Sequence, residues 1–131
     1  MDGVDLLRSC RSVLLIDWPS LEVPEELART GLEVTSEEGP QLFSAYQAAG
    51  EEVHSRRVPG PPMSVDLVYA HRPVDELPEI MERAVALGAR AVWVQAGSPA
   101  AMQLVASAGL LYVDQPYIAE AARAARTSEP G

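Results

Sequence analysis

The sequence predicts a three-layer α/β protein built on a doubly wound, mostly parallel sheet of five or six strands. Two observations carry that reading. Residues 13–16, 67–70 and 91–94 are short, continuous apolar runs of the kind found in strands buried on both faces. Between the last two, Leu77, Ile80, Met81, Ala84, Val85 and Leu87 keep a 3.6-residue period. The stretch from Asp66 to Gly97 is therefore a strand-helix-strand crossover, which joins parallel neighbours.

Taken in order, Asp5 starts a short helix over 5–11 that covers a sheet edge or face. The first strand, 13–16, ends at Asp17-Trp18-Pro19-Ser20, because Pro19 has no N–H to continue a ladder. A short helix follows, with Ser20 or a neighbour as its cap and Pro24 in the first turn. Glu22, Glu25 and Glu26 stand at the positive end of its dipole, and Gly31 stops it. Residues 32–35 form the second strand and 36–40 a turn. Leu42, Ala45, Tyr46 and Ala49 share one face of a helix over 41–49. His54, Arg56 and Arg57 break the apolar content of 53–58, which reads as an edge strand, and 59–62 form a stiff loop. Past Gly97, Ser98-Pro99 opens a helix that Gly109 closes, 110–113 form another strand, and 117–126 an alanine-rich helix before a fraying tail, 127–131. The expected strand order is 3-2-1-4-5, with a sixth strand beyond. A chain of 131 residues suits one hydrophobic core, so 1–131 reads as one domain.

Composition removes several functions. The net charge of −9 disfavours nucleic acid, whose binding needs clustered cations. The ten basic residues are all arginine, which excludes lysine Schiff-base chemistry and a P-loop lysine. Cys10 is the single cysteine, so neither an internal disulfide nor a thiolate metal cluster forms within the chain. Arg8 and Arg11 flank it and tend to lower its pKa, although a structural free thiol is the expectation. The two histidines lack a paired metal-ligand spacing. No apolar run approaches a membrane span and the first residues lack the basic start of a secretion signal, so the expected location is cytoplasmic, away from membranes.

In a doubly wound sheet the ligand crevice opens where the strand order reverses, here beyond the carboxyl ends of 13–16 and 67–70. Three loops converge there, carrying Asp17, Trp18 and Ser20, then His71, Arg72 and Pro73, then Gln95 and Gly97. Arg72 is their only cation, suited to a phosphate or carboxylate, and a protonated His71 adds a second donor. The plainer alternative pairs Arg72 with Asp75 or Glu76 in the following turn. Trp93 reads as core, and Gln95 as a loop anchor. A triad of Asp17, His71 and Ser20 lacks a nucleophile elbow.

These motifs resemble the CoA-binding domain family, small stand-alone bacterial proteins similar to the Rossmann-like amino-terminal domain of the succinyl-CoA synthetase alpha subunit. The resemblance runs from Leu6 to about Val113. It is carried by Val65-Asp-Leu-Val, Arg72-Pro73, the helix from Glu79 to Gly88, the Ala89-Arg-Ala-Val-Trp-Val-Gln-Ala-Gly97 sequel and Ala108-Gly109-Leu. It implies CoA or a related adenine nucleotide as ligand, with Arg72, Pro73, Gln95 and Gly97 lining the groove. The family's glycine- and serine-rich turn, whose bare amides receive the pyrophosphate, is replaced by Asp17-Trp18-Pro19-Ser20. Thr35-Ser36-Glu37-Glu38 stands where the family usually has Asn-Pro, and Gln115-Pro116-Tyr117 lacks a cysteine that relatives often carry. Glu37 or Glu38 is positioned to meet a ribose, without the glycine fingerprint of an NAD site.

Three readings stand on the sequence. The first is a non-catalytic domain binding CoA or another nucleotide in a modified groove. The second is a degenerate domain, its groove closed by Trp18, that serves as a homodimer or protein-interaction module. The third is a small hydrolase or transferase using His71 with Asp17 or Asp114.

Overall fold

The computed structural model describes residues 2–127. A seven-stranded sheet, ordered β4-β3-β2-β1-β5-β6-β7, forms its middle layer. The parallel part is β1 (Ser12–Ile16), β2 (Glu33–Gly39), β5 (Leu67–Ala70), β6 (Ala91–Val94) and β7 (Leu111–Val113). β3 (Leu42–Ala49) and β4 (Glu52–Val58) extend the β2 edge as antiparallel hairpins. The expected order of the predicted strands therefore holds, with one additional strand inserted.

That strand corrects the helix expected over 41–49. Alanine favours helix over strand, so Leu42, Ala45, Tyr46 and Ala49 met a helical period that sheet pairing overrides. In the sheet, Val34, Tyr46 and Ser55 align across three strands on one face, and Thr35, Ala45 and Arg56 on the other. The ends are set by tight turns: Gln41 and Gly50 have φ of 62° and 67°, and Ala49 pairs with Glu52 across a two-residue connection. β2 also runs through Gly39, where a turn over 36–40 was expected.

Helices α1 (Gly3–Ser9), α2 (Glu22–Arg29) and α5 (Ile118–Thr127) cover one face of the sheet, and α3 (Leu77–Ala86) and α4 (Pro99–Ser107) the other. The alternation within β1 feeds both layers: Val13 and Leu15 point into the first, Leu14 and Ile16 into the second. Caps follow local chemistry. Asp2 accepts from the Asp5 amide at 2.8 Å to start α1, and Ser98 accepts from the Ala101 amide at 3.1 Å to start α4, ahead of Pro99. The expected Ser20 cap of α2 is absent: Leu21 holds that place with no side-chain bond. Trp93 is fully buried beneath Gly3, where a Cβ would collide with the indole ring and lie 3.1 Å from the Gln115 carbonyl. Of the tail expected to fray, 127–131, Thr127 ends α5 and 128–131 lie outside the described residues.

The acidic start of α2 is not left bare. Glu26, only 7% exposed, meets Arg29 at 3.0 Å and Arg126 of α5 at 2.9 Å, while Glu22 pairs with Arg123. Cys10 is buried, and the cation against it is Arg90, with Nη2 3.5 Å from Sγ, rather than Arg8 or Arg11. Burial outweighs that charge and raises the thiol pKa.

Candidate functional site

β1 and β5 are parallel neighbours, with Ile16 opposite Ala70, and the His71 amide donates to the Ile16 carbonyl at 3.1 Å. The chain leaving β1 turns to α2 on one face, and the chain leaving β5 turns to α3 on the other. Their divergence is the topological crevice that the sheet order demands. Asp17 and Arg72 meet across it, with Nη1 2.9 Å from Oδ2.

Asp17 is held in the left-handed region, φ 62°, a conformation that aspartate tolerates better than most residues. This turn folds its carboxylate back so that Oδ1 accepts from the Trp18 amide at 2.8 Å while Oδ2 accepts from Arg72. Arg72 is engaged on its other side by Glu76, four residues on, through Nε at 3.0 Å and Nη2 at 2.6 Å. Hydrogen bonding, first to Glu76 and then to Asp17, raises the Arg72 pKa further. The same guanidinium holds the Glu76 carboxyl below its ordinary range. Both residues are partly exposed, so the cluster is an electrostatic clasp rather than a buried network.

Other amides near the turn have little to give an anion. Pro19 and Pro24 have none, the Val23 amide donates to the Ser20 carbonyl at 3.1 Å, and the Glu25 amide donates to Leu21 at 3.2 Å. Donors for one anionic group are thus present, already bound to Asp17. At the start of α2 Pro24 supplies no donor and the Val23 amide is already engaged by Ser20, so fewer amides are left there for a second phosphate than at an ordinary helix start.

The remaining predicted residues separate into different surroundings. Trp18 is half-buried against the α1-α2-α5 core layer. The Ser20 hydroxyl lies 3.1 Å from that of Tyr117. His71 is half-buried beside Arg72, and among the described residues its side chain has no hydrogen bond or ion pair. Pro73 caps the 3-10 turn Val74–Glu76 that carries Glu76 to Arg72.

Gln95, one strand further, accepts from the Tyr69 hydroxyl at 3.0 Å, and its amide donates to the Ala70 carbonyl at 2.9 Å. Burial, with smaller contributions from Tyr117 and Asp17, pushes the Tyr69 pKa up. Gly97 sits under β7: a Cβ there would collide with the Tyr112 hydroxyl and lie 2.7 Å from the Asp114 Cβ. Tyr112 donates to Asp114 at 2.8 Å, and burial first, then this carboxylate, pushes its pKa up to about 12. Sequence reading weighed Glu76 only as a rival for Arg72 and overlooked Tyr69 and Tyr112. The four-residue spacing from Arg72 was the available signal for Glu76.

No triad forms: Asp17 is bound to Arg72 and Trp18, Ser20 to Tyr117, and Asp114 to Tyr112. Glu37 and Glu38 are likewise engaged, by Arg83 of α3 and by Arg57 of β4. Among the described residues no group of three or more His, Cys, Asp or Glu is placed to hold a metal ion. No helix among them is long and apolar enough to cross a membrane. A cavity of about 920 Å³ lies elsewhere, around the start of β2 and the β3-β4 hairpin, lined in part by Thr35, Tyr46, Arg56 and Pro62.

The parallel core and its order reversal, with Asp17 and Arg72 paired at that reversal, define a Rossmann-like fold. The family model described as CoA binding domain matches residues 17–128, and the chain belongs to that family. Among solved structures it is similar to a protein of unknown function from Methanothermobacter thermautotrophicus, at 12% identity over 87% of each chain and a TM-score of 0.48. No curated protein matches it.

Proposed function

We propose that this protein is a non-catalytic domain that binds CoA or a related adenine nucleotide, with one phosphate seated where the Asp17 carboxylate stands in the free protein. The observation that supports this most is the double contact of that carboxylate, to the Trp18 amide at 2.8 Å and Arg72 Nη1 at 2.9 Å. A backbone amide and a guanidinium converging on one anionic group are the components of a phosphate site. Ligand enters by displacing Asp17, while Glu76 keeps the guanidinium aimed. Pro73 holds the turn that carries Glu76; Gln95 and Gly97 shape the adjoining loop; His71 flanks the phosphate.

Isothermal titration with CoA, acetyl-CoA, NAD and ATP tests the reading. CoA or acetyl-CoA binding that is lost in Arg72→Ala, with the fold intact by circular dichroism, supports it. Absence of heat with all four ligands, in wild type and in Asp17→Gly alike, overturns it. A second reading, a domain whose nucleotide site is lost and whose role is protein interaction, rests on the missing amides at Pro19 and Pro24 and would then stand.

A further inference from the structure

β4 closes one end of the sheet, pairing with β3 over all of Glu52–Val58 without a register shift and, among the described residues, with no strand on its other side. Such an edge presents unpaired N–H and C=O groups to any second strand. β4 contains no proline, glycine or bulge that would blunt it. The opposite edge, β7, offers only three residues. Two exposed charges on β4 are under-used within the chain. Glu52 has His54 Nε2 at 3.5 Å, and among the described residues Arg56 has no hydrogen bond or ion pair.

We propose that β4 pairs with β4 of a second copy of this chain, continuing the sheet across a two-fold axis centred on His54. The register follows from symmetry and charge. Directly opposite residues in an antiparallel pair share a face, and side chains alternate faces along a strand. A two-fold axis normal to the sheet therefore permits only registers centred on a residue. Centring on Ser55 would set His54 against the partner's Arg56 and Val53 against the partner's Arg57. Centring on His54 sets Glu52 against the partner's Arg56, twice by symmetry, and Val53 against the partner's Ser55. Only this register sets Glu52 opposite the partner's Arg56, with His54 opposite the partner's His54 on the axis. The pairing leaves the crevice between β1 and β5 free, since it lies on the other side of β2 and β3.

Sedimentation equilibrium of the full chain at low salt tests this with four proteins: wild type, Glu52→Arg, Arg56→Glu and the double swap. Wild type is expected to form a dimer. Either single change sets like charges opposite each other twice and weakens the dimer by about tenfold or more. The double swap restores opposite charges and returns the affinity to near wild type. Monomeric wild type at every concentration, a dimer indifferent to the single changes, or a double swap no tighter than the singles each overturns the proposal. CoA titration of the same four proteins is expected to be unchanged, which separates this surface from the crevice.

Discussion

Replacing Asp17 by glycine isolates the anion position, because it restores a bare turn after β1 and removes the group that now occupies it. The backbone change is favourable: φ of 62° costs a non-glycine residue about 1 kcal/mol, which glycine escapes. Against that stand the glycine's extra freedom in the unfolded chain, about 0.5–1 kcal/mol, and the lost bond to the Trp18 amide, about 1 kcal/mol. The exposed contact with Arg72 contributes little either way. Folding stability by urea titration should therefore stay within about 1 kcal/mol of wild type. Ligand affinity should not stay level. In wild type the phosphate must first displace the Asp17 bond to the Trp18 amide, about 1 kcal/mol, which the glycine variant does not hold, so its Kd for CoA by calorimetry should be roughly fivefold lower. Asp17→Asn keeps an acceptor on the Trp18 amide and removes only the charge, so its gain should be smaller. Equal gains for the two variants, or CoA binding no tighter in Asp17→Gly than in wild type, would refute the reasoning.

Other consequences follow from the packing. Gly97→Ala should cost about 1–3 kcal/mol in urea unfolding, since the new methyl meets Tyr112 and Asp114 at the end of β7. Glu26→Ala strips a buried carboxylate from Arg29 and Arg126, and about 3 kcal/mol of stability should go with it in the same assay. Stability should also fall with rising alkalinity. Cys10 and Tyr112 ionise later folded than unfolded, so above their ordinary pKa values of 9.0 and 10.0 the unfolded chain loses its protons first. Chemical unfolding between pH 8 and pH 12 should show this decline beginning near pH 9, and a stability that rises across that range would contradict the assignment.

The buried core of the fold is what a single sequence reveals best. β5 and β6 are uninterrupted apolar runs flanked by polar or breaker residues, so their ends were readable to the residue. β3 was hidden because only two of its positions are buried, adjacent in sequence, and one of them is polar. Ser44 lies in the core as deeply as Phe43, and no alternation of apolar and polar residues marks the strand. The Ala49-Gly50-Glu51-Glu52 hairpin was a turn signal that a helix reading overrode. At the crevice, sequence spacing brought Asp17 and Arg72 together because each follows a strand whose neighbour was known. It did not show that the acid is the base's own partner, since pairing depends on the left-handed turn at Asp17 and not on residue type. What neutralises the acidic start of α2 was hidden for a similar reason. Its neutralising arginines, Arg123 and Arg126, come from the far end of the chain.

A crystal structure of the protein grown with CoA tests the central claim most directly. The account places a phosphate within hydrogen-bonding distance of both the Trp18 amide and Arg72, with the Asp17 side chain rotated out of that position. CoA seated instead in the cavity beside Thr35, Tyr46 and Arg56, with Asp17 still bound to Arg72, would contradict it.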